Sequence, residues 1–238
     1  MLQVTYIQHS GFAVELDHAI LAFDFAMGKF PALDRDKPAY LFASHVHGDH
    51  FHPVIFDLRK YFKKVTYIIS DDVPESKLQM AADEGASGQA PVHRVHPGQV
   101  YQIGDCEVHT FASTDEGVAF WVRCGGRTIY HAGDLNDWAW EEDSAGERRG
   151  MQMDYIRILH ELPKGTIDAA FVPVDPRLGV YYAQGLLEFT ETADAGHIFP
   201  MHFWEDYTIF DRLEQESKLL PYRDRIHRIR RCGEQFII

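Results

Sequence analysis

The segment Ser44–His50 constrains this chain most, because it places three histidines and an aspartate within six positions. The apolar run Ala39–Ala43 before it predicts a buried strand, and Pro53–Lys64 after it predicts a helix that begins at a proline. The cluster therefore lies where a strand ends and a helix begins, which is where α/β folds gather ligand sites. Alternate residues of an extended segment point to the same side, so we expect His45 and His47 to face one point.

The second half of this cluster predicts a second group of ligands. Gly48 permits a tight turn that brings Asp49 and His50 to another point nearby. Neutral imidazole and carboxylate groups suit Zn²⁺, Mn²⁺ or Fe²⁺. The pattern therefore favours metal binding over a solvated polar loop.

Composition limits the classes of protein that fit. The chain has 238 residues, 45% of them hydrophobic, and we expect a single domain, 1–238. Its net charge of −13 argues against nucleic acid as a substrate, since an acidic surface repels phosphate backbones. We interpret the basic run near the C-terminus as an exposed or sheet-edge strand of alternating polarity; it contains Arg223, Arg225, Arg228, Arg230 and Arg231.

Cysteine usage and the N-terminus predict a cytoplasmic protein. Cys106, Cys124 and Cys232 are widely spaced and odd in number, which does not suggest a disulfide framework or a cysteine zinc site. No signal peptide is visible at the N-terminus. No apolar run approaches the roughly 18 residues that a membrane span needs, so no membrane partner is expected.

Strands and helices alternate along most of the chain. Alternating or continuous apolar runs predict strands at Val4–Ile7, Phe12–Leu16, Ile20–Phe25, Val65–Ser70, Cys106–Ala112, Val118–Cys124, Arg127–Ala132, Asp168–Pro173 and His197–Met201. Helical spacing predicts further helices at Glu75–Glu84, Glu147–Leu162, Ala183–Ala195 and Ile209–Leu219, with a loop at Gly85–Pro91.

Three later segments end an apolar strand with a residue that can bind a metal. Asp134 follows a strand and a glycine, Asp175 follows Val172–Val174, and His202 follows the strand that ends at Met201. A single aspartate at a strand end is more often a turn residue. Together with the first cluster, however, these residues form a repeated pattern of strands that deliver ligands to one edge.

The order His45-x-His47-x-Asp49-His50, then Gly133-Asp134, then His202 at a strand end resembles the metallo-β-lactamase superfamily. The resemblance extends from Phe23-Asp24 to His202 and implies an α/β fold, a four-layer αββα sandwich with a binuclear metal site. Two segments, His9–Phe12 and His131–Asp134, are similar to the branch of metal-dependent hydrolases that includes L-ascorbate-6-phosphate lactonase and N-acyl-phosphatidylethanolamine phospholipase D.

The resemblance implies a ligand set. His45 and His47 would hold the first metal, and Asp49, His50 and His202 would hold the second. Asp134 would bridge both. His131, three residues before Asp134, is expected to support it by a hydrogen bond.

The family usually adds another histidine to the first metal, at a strand end that corresponds to 112–117, and no histidine stands there. Three interpretations stay open. Asp115 or Glu116 takes the place, which would give an oxygen-rich site that favours Mn²⁺ or Fe²⁺. Alternatively the first site is weak, and one metal is held by Asp49, His50, Asp134 and His202. In the third interpretation, His9 reaches in from the N-terminal hairpin.

The implied activity is that of a metal-dependent hydrolase with one or two divalent ions, Zn²⁺ first. A metal-bound hydroxide that is hydrogen-bonded to the catalytic Asp49 would attack a small ester, lactone or phosphoester. Arg177 is a candidate for recognition of a carboxylate or phosphate, or else a structural partner of Asp175. The alternatives are a metal-binding protein with little or no hydrolytic activity, such as a sensor, and then a nuclease of the same superfamily.

Overall fold

Two β-sheets organise the chain, one in each of two units. The computed structural model describes residues 2–79 and 90–238. The first unit comprises Met1–His96 and Cys232–Ile238, and the second comprises Pro97–Arg231. The single domain 1–238 stays a prediction.

The sheet of the first unit has seven strands in the order β13-β1-β2-β3-β4-β5-β6. Their bounds are β1 (Gln3–Gln8), β2 (Gly11–Glu15), β3 (Ile20–Phe23), β4 (Ala39–Ala43), β5 (Val65–Ser70), β6 (Val92–Val95) and β13 (Gln235–Ile237). Pairing is antiparallel from β13 to β3 and parallel from β3 to β6. Every residue of β3 and β4 is buried, which explains their continuous apolar sequences.

Short helices follow two of the parallel strands of this sheet. The segment between β4 and β5 forms a 3₁₀ helix, Pro53–Lys60, rather than the longer helix predicted for Pro53–Lys64. Its buried residues Ile55, Phe56 and Leu58 contribute to the apolar core of the unit. After β5 comes the helix α1 (Glu75–Leu78). The rest of the helix predicted to Glu84, and the loop predicted before Pro91, fall largely on residues 80–89, outside the described residues.

Parallel pairing brings several strand ends to one edge of the first sheet. Asp24 follows β3, the cluster Ser44–His50 follows β4, and Asp72 lies just after β5. Because β3, β4 and β5 are parallel neighbours, their carboxyl ends meet at the same edge. The histidine cluster is therefore anchored by buried strands.

The second unit has a six-stranded sheet in the order β12-β11-β10-β9-β8-β7. Its strands are β7 (Val100–Ile103), β8 (Cys106–Ala112), β9 (Val118–Cys124), β10 (Arg127–His131), β11 (Ile167–Pro173) and β12 (Ala195–Met201). Its helices are α2 (Ala145–Leu159), α3 (Gln184–Thr192) and α4 (Ile209–Gln215), with 3₁₀ helices at Pro176–Tyr181 and Ser217–Arg225.

The second sheet repeats the arrangement of strand ends found in the first. The strands β10, β11 and β12 are parallel neighbours. Asp134, Asp175 and His202 follow these three strands in turn. The prediction that successive strands deliver these residues to one edge is confirmed within this unit.

The structure corrects the expectation about cysteines. Cys106 and Cys124 form a disulfide, although their spacing did not suggest one. They are direct cross-strand partners in the β8–β9 hairpin, with Cα atoms 4.4 Å apart. That spacing is typical of a closely approaching antiparallel pair, which a sequence separation of 18 does not reveal.

The basic C-terminal run is not the predicted strand. Its first part belongs to the 3₁₀ helix Ser217–Arg225, and the residues after Arg225 are irregular up to Arg231. Arg228 forms ion pairs with Asp211 and Glu214. Among the described residues, no helix is long and apolar enough to cross a bilayer.

Candidate metal-binding residues

The cluster of the first unit is built on a tight turn. The N–H groups of His50 and Phe51 both donate to the carbonyl of His47, at 3.1 and 2.8 Å. This turn brings together side chains that an extended segment would separate. His45 and His50 are fully buried, with ring centroids 4.1 Å apart, whereas His47 is exposed.

His45 and His47 point nitrogen atoms at each other, as predicted. Nε2 of His45 lies 3.0 Å from Nδ1 of His47, and the rings meet edge to face. On its far side, Nδ1 of His45 lies 3.0 Å from Oγ of Ser44. Two imidazole nitrogens that face each other so closely need a proton or a cation between them, because two lone pairs repel. The donor chemistry fits a divalent metal.

His50 belongs to a second group, together with Asp49 and His9. Oδ2 of Asp49 lies 3.3 Å from Nε2 of His9 and 4.0 Å from Nε2 of His50. Each of the three residues offers a ligand atom within 4.8 Å of the others. His9 was one of three open interpretations for the missing histidine, and the structure places it in contact with Asp49.

A buried aspartate orients the ring of His50. Oδ2 of Asp24 lies 2.8 Å from Nδ1 of His50, while the N–H and Oγ of Ser44 donate to the same carboxylate at 2.8 and 2.7 Å. With Nδ1 bonded to a carboxylate, Nε2 of the neutral ring carries the lone pair and is the ligand atom. This role of Asp24 was not predicted from the sequence, although Asp24 follows a strand just as Asp134 does.

The charge of Asp49 is set by its neighbours. Burial acts to raise the pKa of Asp49, but the hydrogen bond from His9 and the charge of His50 outweigh it and hold that pKa well below its ordinary value. The carboxylate is therefore ionised at neutral pH, as a metal ligand or hydrogen-bond acceptor must be.

The second unit contains a matching histidine with a buried aspartate behind it. Nδ1 of His202 lies 3.0 Å from Oδ2 of Asp175, and its Nε2 lies 3.4 Å from Oδ1 of Asp134. All three side chains are buried. Burial acts to raise the pKa of Asp175, but hydrogen bonds from His202 and Arg177 outweigh it and hold that pKa well below its usual range. Asp175 thus orients His202, a role that its position at a strand end did not specify.

Arg177 pairs with Asp175, which was the structural alternative predicted from the sequence. Its Nε lies 3.0 and 2.9 Å from the two oxygens of Asp175, and Nη2 lies 2.5 Å from Oδ2. The guanidinium also stacks 4.7 Å above the ring of Trp204, whose Nε1 donates to Asp175 at 3.3 Å. The contact with Asp175 does not test the role of Arg177 in substrate recognition, which stays a prediction.

The turn at 113–117 carries no histidine, and its acidic residues face solvent. Asp115 and Glu116 are exposed, and the N–H of Asp115 donates to Oγ of Ser113 at 3.1 Å. Thr114 ties this turn to the loop after β10, since its hydroxyl donates to the carbonyl of Asn136 at 2.6 Å. A ligand role for Asp115 stays a prediction.

The ring of His131 contacts the backbone next to Asp134. The ring is buried, and its Nδ1 accepts a hydrogen bond of 3.1 Å from the N–H of Gly133. On the other side of Asp134, Nε1 of Trp138 donates to the Asp134 carbonyl at 2.8 Å. His131 thus contacts the residue before Asp134, and its supporting role stays a prediction.

The chain is similar to known proteins in sequence and in fold. No protein-family model matches the chain. It is 26% identical over 232 residues to a protein of Heliobacterium modesticaldum described as a UPF0173 metal-dependent hydrolase, covering 91% of this chain and 87% of that relative.

Two solved structures superpose on the whole chain. One is Igni18, described as a novel metallo hydrolase from the hyperthermophilic archaeon Ignicoccus hospitalis, with 17% identity, a TM-score of 0.63 and coverage of 100% of this chain and 99% of that one. The other is the metallo-β-lactamase fold protein YhfI from Bacillus subtilis, with 13% identity, a TM-score of 0.65 and full coverage of both chains. The chain is thus a mixed α/β protein of the metallo-β-lactamase fold, similar over most of its length to metal-dependent hydrolases.

Proposed function

We propose that this protein is a metal-dependent hydrolase that acts on a small ester, lactone or phosphoester. The observation that carries the proposal is the pairing of His50 with Asp24 and of His202 with Asp175, at 2.8 and 3.0 Å. A buried carboxylate behind Nδ1 leaves Nε2 as the ligand atom, which is the arrangement found behind metal-binding histidines. Generic metal dependence is also what the similarity to metal-dependent hydrolases supports.

Each unit contains residues proposed to hold metal. They are His45, His47, Asp49 and His50 in the first and Asp134 and His202 in the second, with Asp115 as a further proposed ligand. Imidazole and carboxylate donors suit Zn²⁺, and Mn²⁺ or Fe²⁺ suit a set richer in oxygen. When bound, such a cation lowers the pKa of water and stabilises negative charge on an oxygen.

The proposed catalytic residue of the chain is Asp49. Its carboxylate is ionised and half-buried, and Nε2 of His9 lies 3.3 Å from Oδ2. An ionised carboxylate accepts a hydrogen bond from the attacking water and fixes its orientation toward the carbonyl or phosphoryl centre. His9 holds Asp49 in place for this purpose.

Substrate recognition is proposed for Arg177. Although its guanidinium pairs with Asp175, the side chain is 48% exposed, so one edge of the fork faces solvent. A planar guanidinium held by a carboxylate and stacked on Trp204 presents its remaining donors in a fixed direction. That arrangement favours a small anionic substrate, such as the sugar phosphate lactone suggested by the resemblance to L-ascorbate-6-phosphate lactonase.

The test combines metal analysis with a panel of lactones, phosphodiesters and thioesters. We expect at least one class to be hydrolysed in a metal-dependent way, and Asp49→Ala to lower kcat by about 100-fold or more. Asp57→Ala is the matched control, because Asp57 is an exposed aspartate of the same unit that pairs with Lys60. Full activity in Asp49→Ala would contradict the role of Asp49. Tight metal binding without turnover of any class would instead favour a metal-binding protein such as a sensor.

A further inference from the structure

The second unit contains a cavity of about 490 Å³ whose polar lining the proposed hydrolysis does not use. One face of α2 forms a wall, since Ala145, Arg148, Arg149 and Gln152 are spaced as neighbours on a helix surface. Asp137, Tyr181 and Gln184 complete the polar lining. The volume is typical of a site for a small organic molecule.

The cavity contains one half of a buried carboxyl pair. Asp137 is 2% exposed and Glu188 is 4% exposed, and among the described residues Oδ1 of Asp137 and Oε2 of Glu188 are buried without a hydrogen-bond partner. The charge of Glu188 acts on Asp137, and two neighbouring buried carboxyl groups retain one proton near neutral pH because two buried carboxylates repel each other. The pair therefore keeps one negative charge.

Among the described residues, the side chains that donate hydrogen bonds to this pair are uncharged. The amides of Gln152 and Gln184 both donate to Oε1 of Glu188, at 2.5 and 2.7 Å. Across residues 2–79 and 90–238, no lysine, arginine or histidine forms an ion pair with Asp137 or Glu188. A buried charge with no opposite charge beside it is costly, and it is stabilised when a cation binds against it.

A positively charged side chain, Arg149, lines the same cavity. Arg149 is exposed, and within the described part of the chain no carboxylate pairs with it. Its neighbour Arg148 is already engaged, because it donates to the carbonyls of Trp140 and Asp143 and stacks 5.0 Å from the ring of Tyr181. Arg149 is therefore the guanidinium that remains available to an anion.

We propose that this cavity binds a small zwitterion, with an ammonium group against the Asp137–Glu188 pair and a carboxylate against Arg149. The ammonium group would pair with the negative charge of Asp137 and Glu188, and the carboxylate would pair with the positive charge of Arg149. When the ammonium group enters, the retained proton leaves to solvent, so one positive charge replaces another. This inference goes beyond the proposed hydrolase activity and does not require a metal.

The first experiment measures binding of glycine, 4-aminobutyrate and 6-aminohexanoate to the purified protein by calorimetry. We expect at least one of the three to bind saturably with a Kd of about 1 mM or lower. For that chain length, the matched amine without a carboxylate and the matched carboxylate without an amine should each bind about tenfold more weakly or worse. Absence of saturable binding for all three, or equal binding of the plain carboxylate, would overturn the proposal.

Variants then assign each charge. Arg149→Gln should weaken binding of the zwitterion about tenfold and leave the plain amine unchanged, whereas Asp137→Asn should weaken both. Arg157→Gln is the control, because Arg157 lies on the same helix, pairs with Asp154 and Glu161, and does not line the cavity. Since Arg149 is exposed, its variant is expected to fold, and unchanged zwitterion binding in it would contradict the assignment.

Proton release is an independent readout. Burial first, and then the charge of Glu188, raise the pKa of Asp137 to about 7. Other groups near the pair are Tyr155 on α2, whose pKa burial raises well above its usual value, Glu191 on α3, and Arg148, Arg149 and Tyr181 at the cavity. Binding at about pH 6 should therefore release a proton, seen as a heat that depends on the buffer. Binding without proton release in the wild type would contradict the proposed contact with the pair.

Discussion

The carboxylate of Asp24 lies 2.8 Å from Nδ1 of His50, and both side chains are buried in the first unit. Asp175 and His202 repeat the relationship in the second unit at 3.0 Å. In both cases the aspartate follows one strand, β3 or β11, and the histidine lies after the parallel strand next to it, β4 or β12. Each sheet therefore supplies an aspartate that fixes the tautomer of a candidate ligand.

Replacing Asp24 should weaken metal binding without removing a ligand. In Asp24→Asn the amide is a poorer acceptor for the Nδ1 proton, so we expect metal affinity to fall about 10- to 100-fold. Competition titration with a chromophoric chelator measures the loss. Asp57→Asn, an exposed aspartate in the same unit, should bind metal like the wild type. Equal affinity in Asp24→Asn would show that the Asp24–His50 contact does not orient the ring for a metal.

Metal removal should lower thermal stability. A ligand that binds only the folded state adds about 2.7 kcal/mol when present at 100 times its Kd. We therefore expect the Tm to fall after chelation and to recover when Zn²⁺ is added back. In the double variant His45→Ala and His50→Ala the chelator should have much less effect, because both replaced rings belong to the proposed ligand set. A chelator effect that is as large in the double variant as in the wild type would place the stabilising metal elsewhere.

The same substitution should have opposite effects at two glycines of the second unit. A Cβ at Gly185 would lie 1.9 Å from Oδ1 of Asn136 and 3.1 Å from the backbone nitrogen of Asp137. We expect Gly185→Ala to lower the free energy of unfolding by about 1–3 kcal/mol. Gly150, inside α2, has nothing within 4 Å of such a Cβ, so Gly150→Ala should raise it by about 0.5–1 kcal/mol. Urea denaturation of both variants tests the pair of signs.

Stability should fall as the pH drops below neutrality, partly through His227. The ring stacks 4.4 Å from Phe199, and its Nε2 lies 2.8 Å from Nδ1 of His197. Burial, and then the charge of His197, lower the pKa of His227 from 6.5 to about 4. Between pH 4 and pH 6.5, His227 binds more protons in the unfolded chain than in the folded one. The free energy of unfolding that depends on a neutral His227 is therefore fully present above pH 6.5 and is lost as the pH falls toward 4.

The variant His227→Phe keeps the ring contact and removes the titration. We expect its loss of stability between about pH 7 and pH 5 to be smaller than that of the wild type by on the order of 1 kcal/mol, because water reaches part of the ring. Urea denaturation at both pH values provides the comparison. His160→Gln, at an exposed position after α2, should behave like the wild type. An unchanged pH dependence in His227→Phe would exclude His227 as the source.

The central strands could be predicted because burial on both faces leaves a continuous apolar sequence. The predictions around Ala39–Ala43 and Asp168–Pro173 agree with β4 and β11 within one residue. Three strands were not predicted, namely β6, β7 and β13. These strands are only three or four residues long and partly exposed, so their apolar runs are too short to identify a strand. The strand beside them rather than their own sequence determines their pairing.

The candidate site could be predicted where its residues are contiguous or follow a parallel strand. His45, His47, Asp49 and His50 lie on one turn, and Asp134 and His202 follow β10 and β12. The contacts of His9 with Asp49, and of Asp24 with His50, join residues that are distant in sequence. No spacing rule identifies such pairs, because they depend on how strands, loops and helices pack.

The pairing of β13 with β1 has a consequence for synthesis of the chain. Gln235–Ile237 completes the edge of a sheet whose other strands all lie before residue 97. A ribosome therefore translates the entire second unit while Val4 and its neighbours still form an open strand edge, a state prone to association with other chains. The N-terminal sheet is the first to be made and the last to be finished.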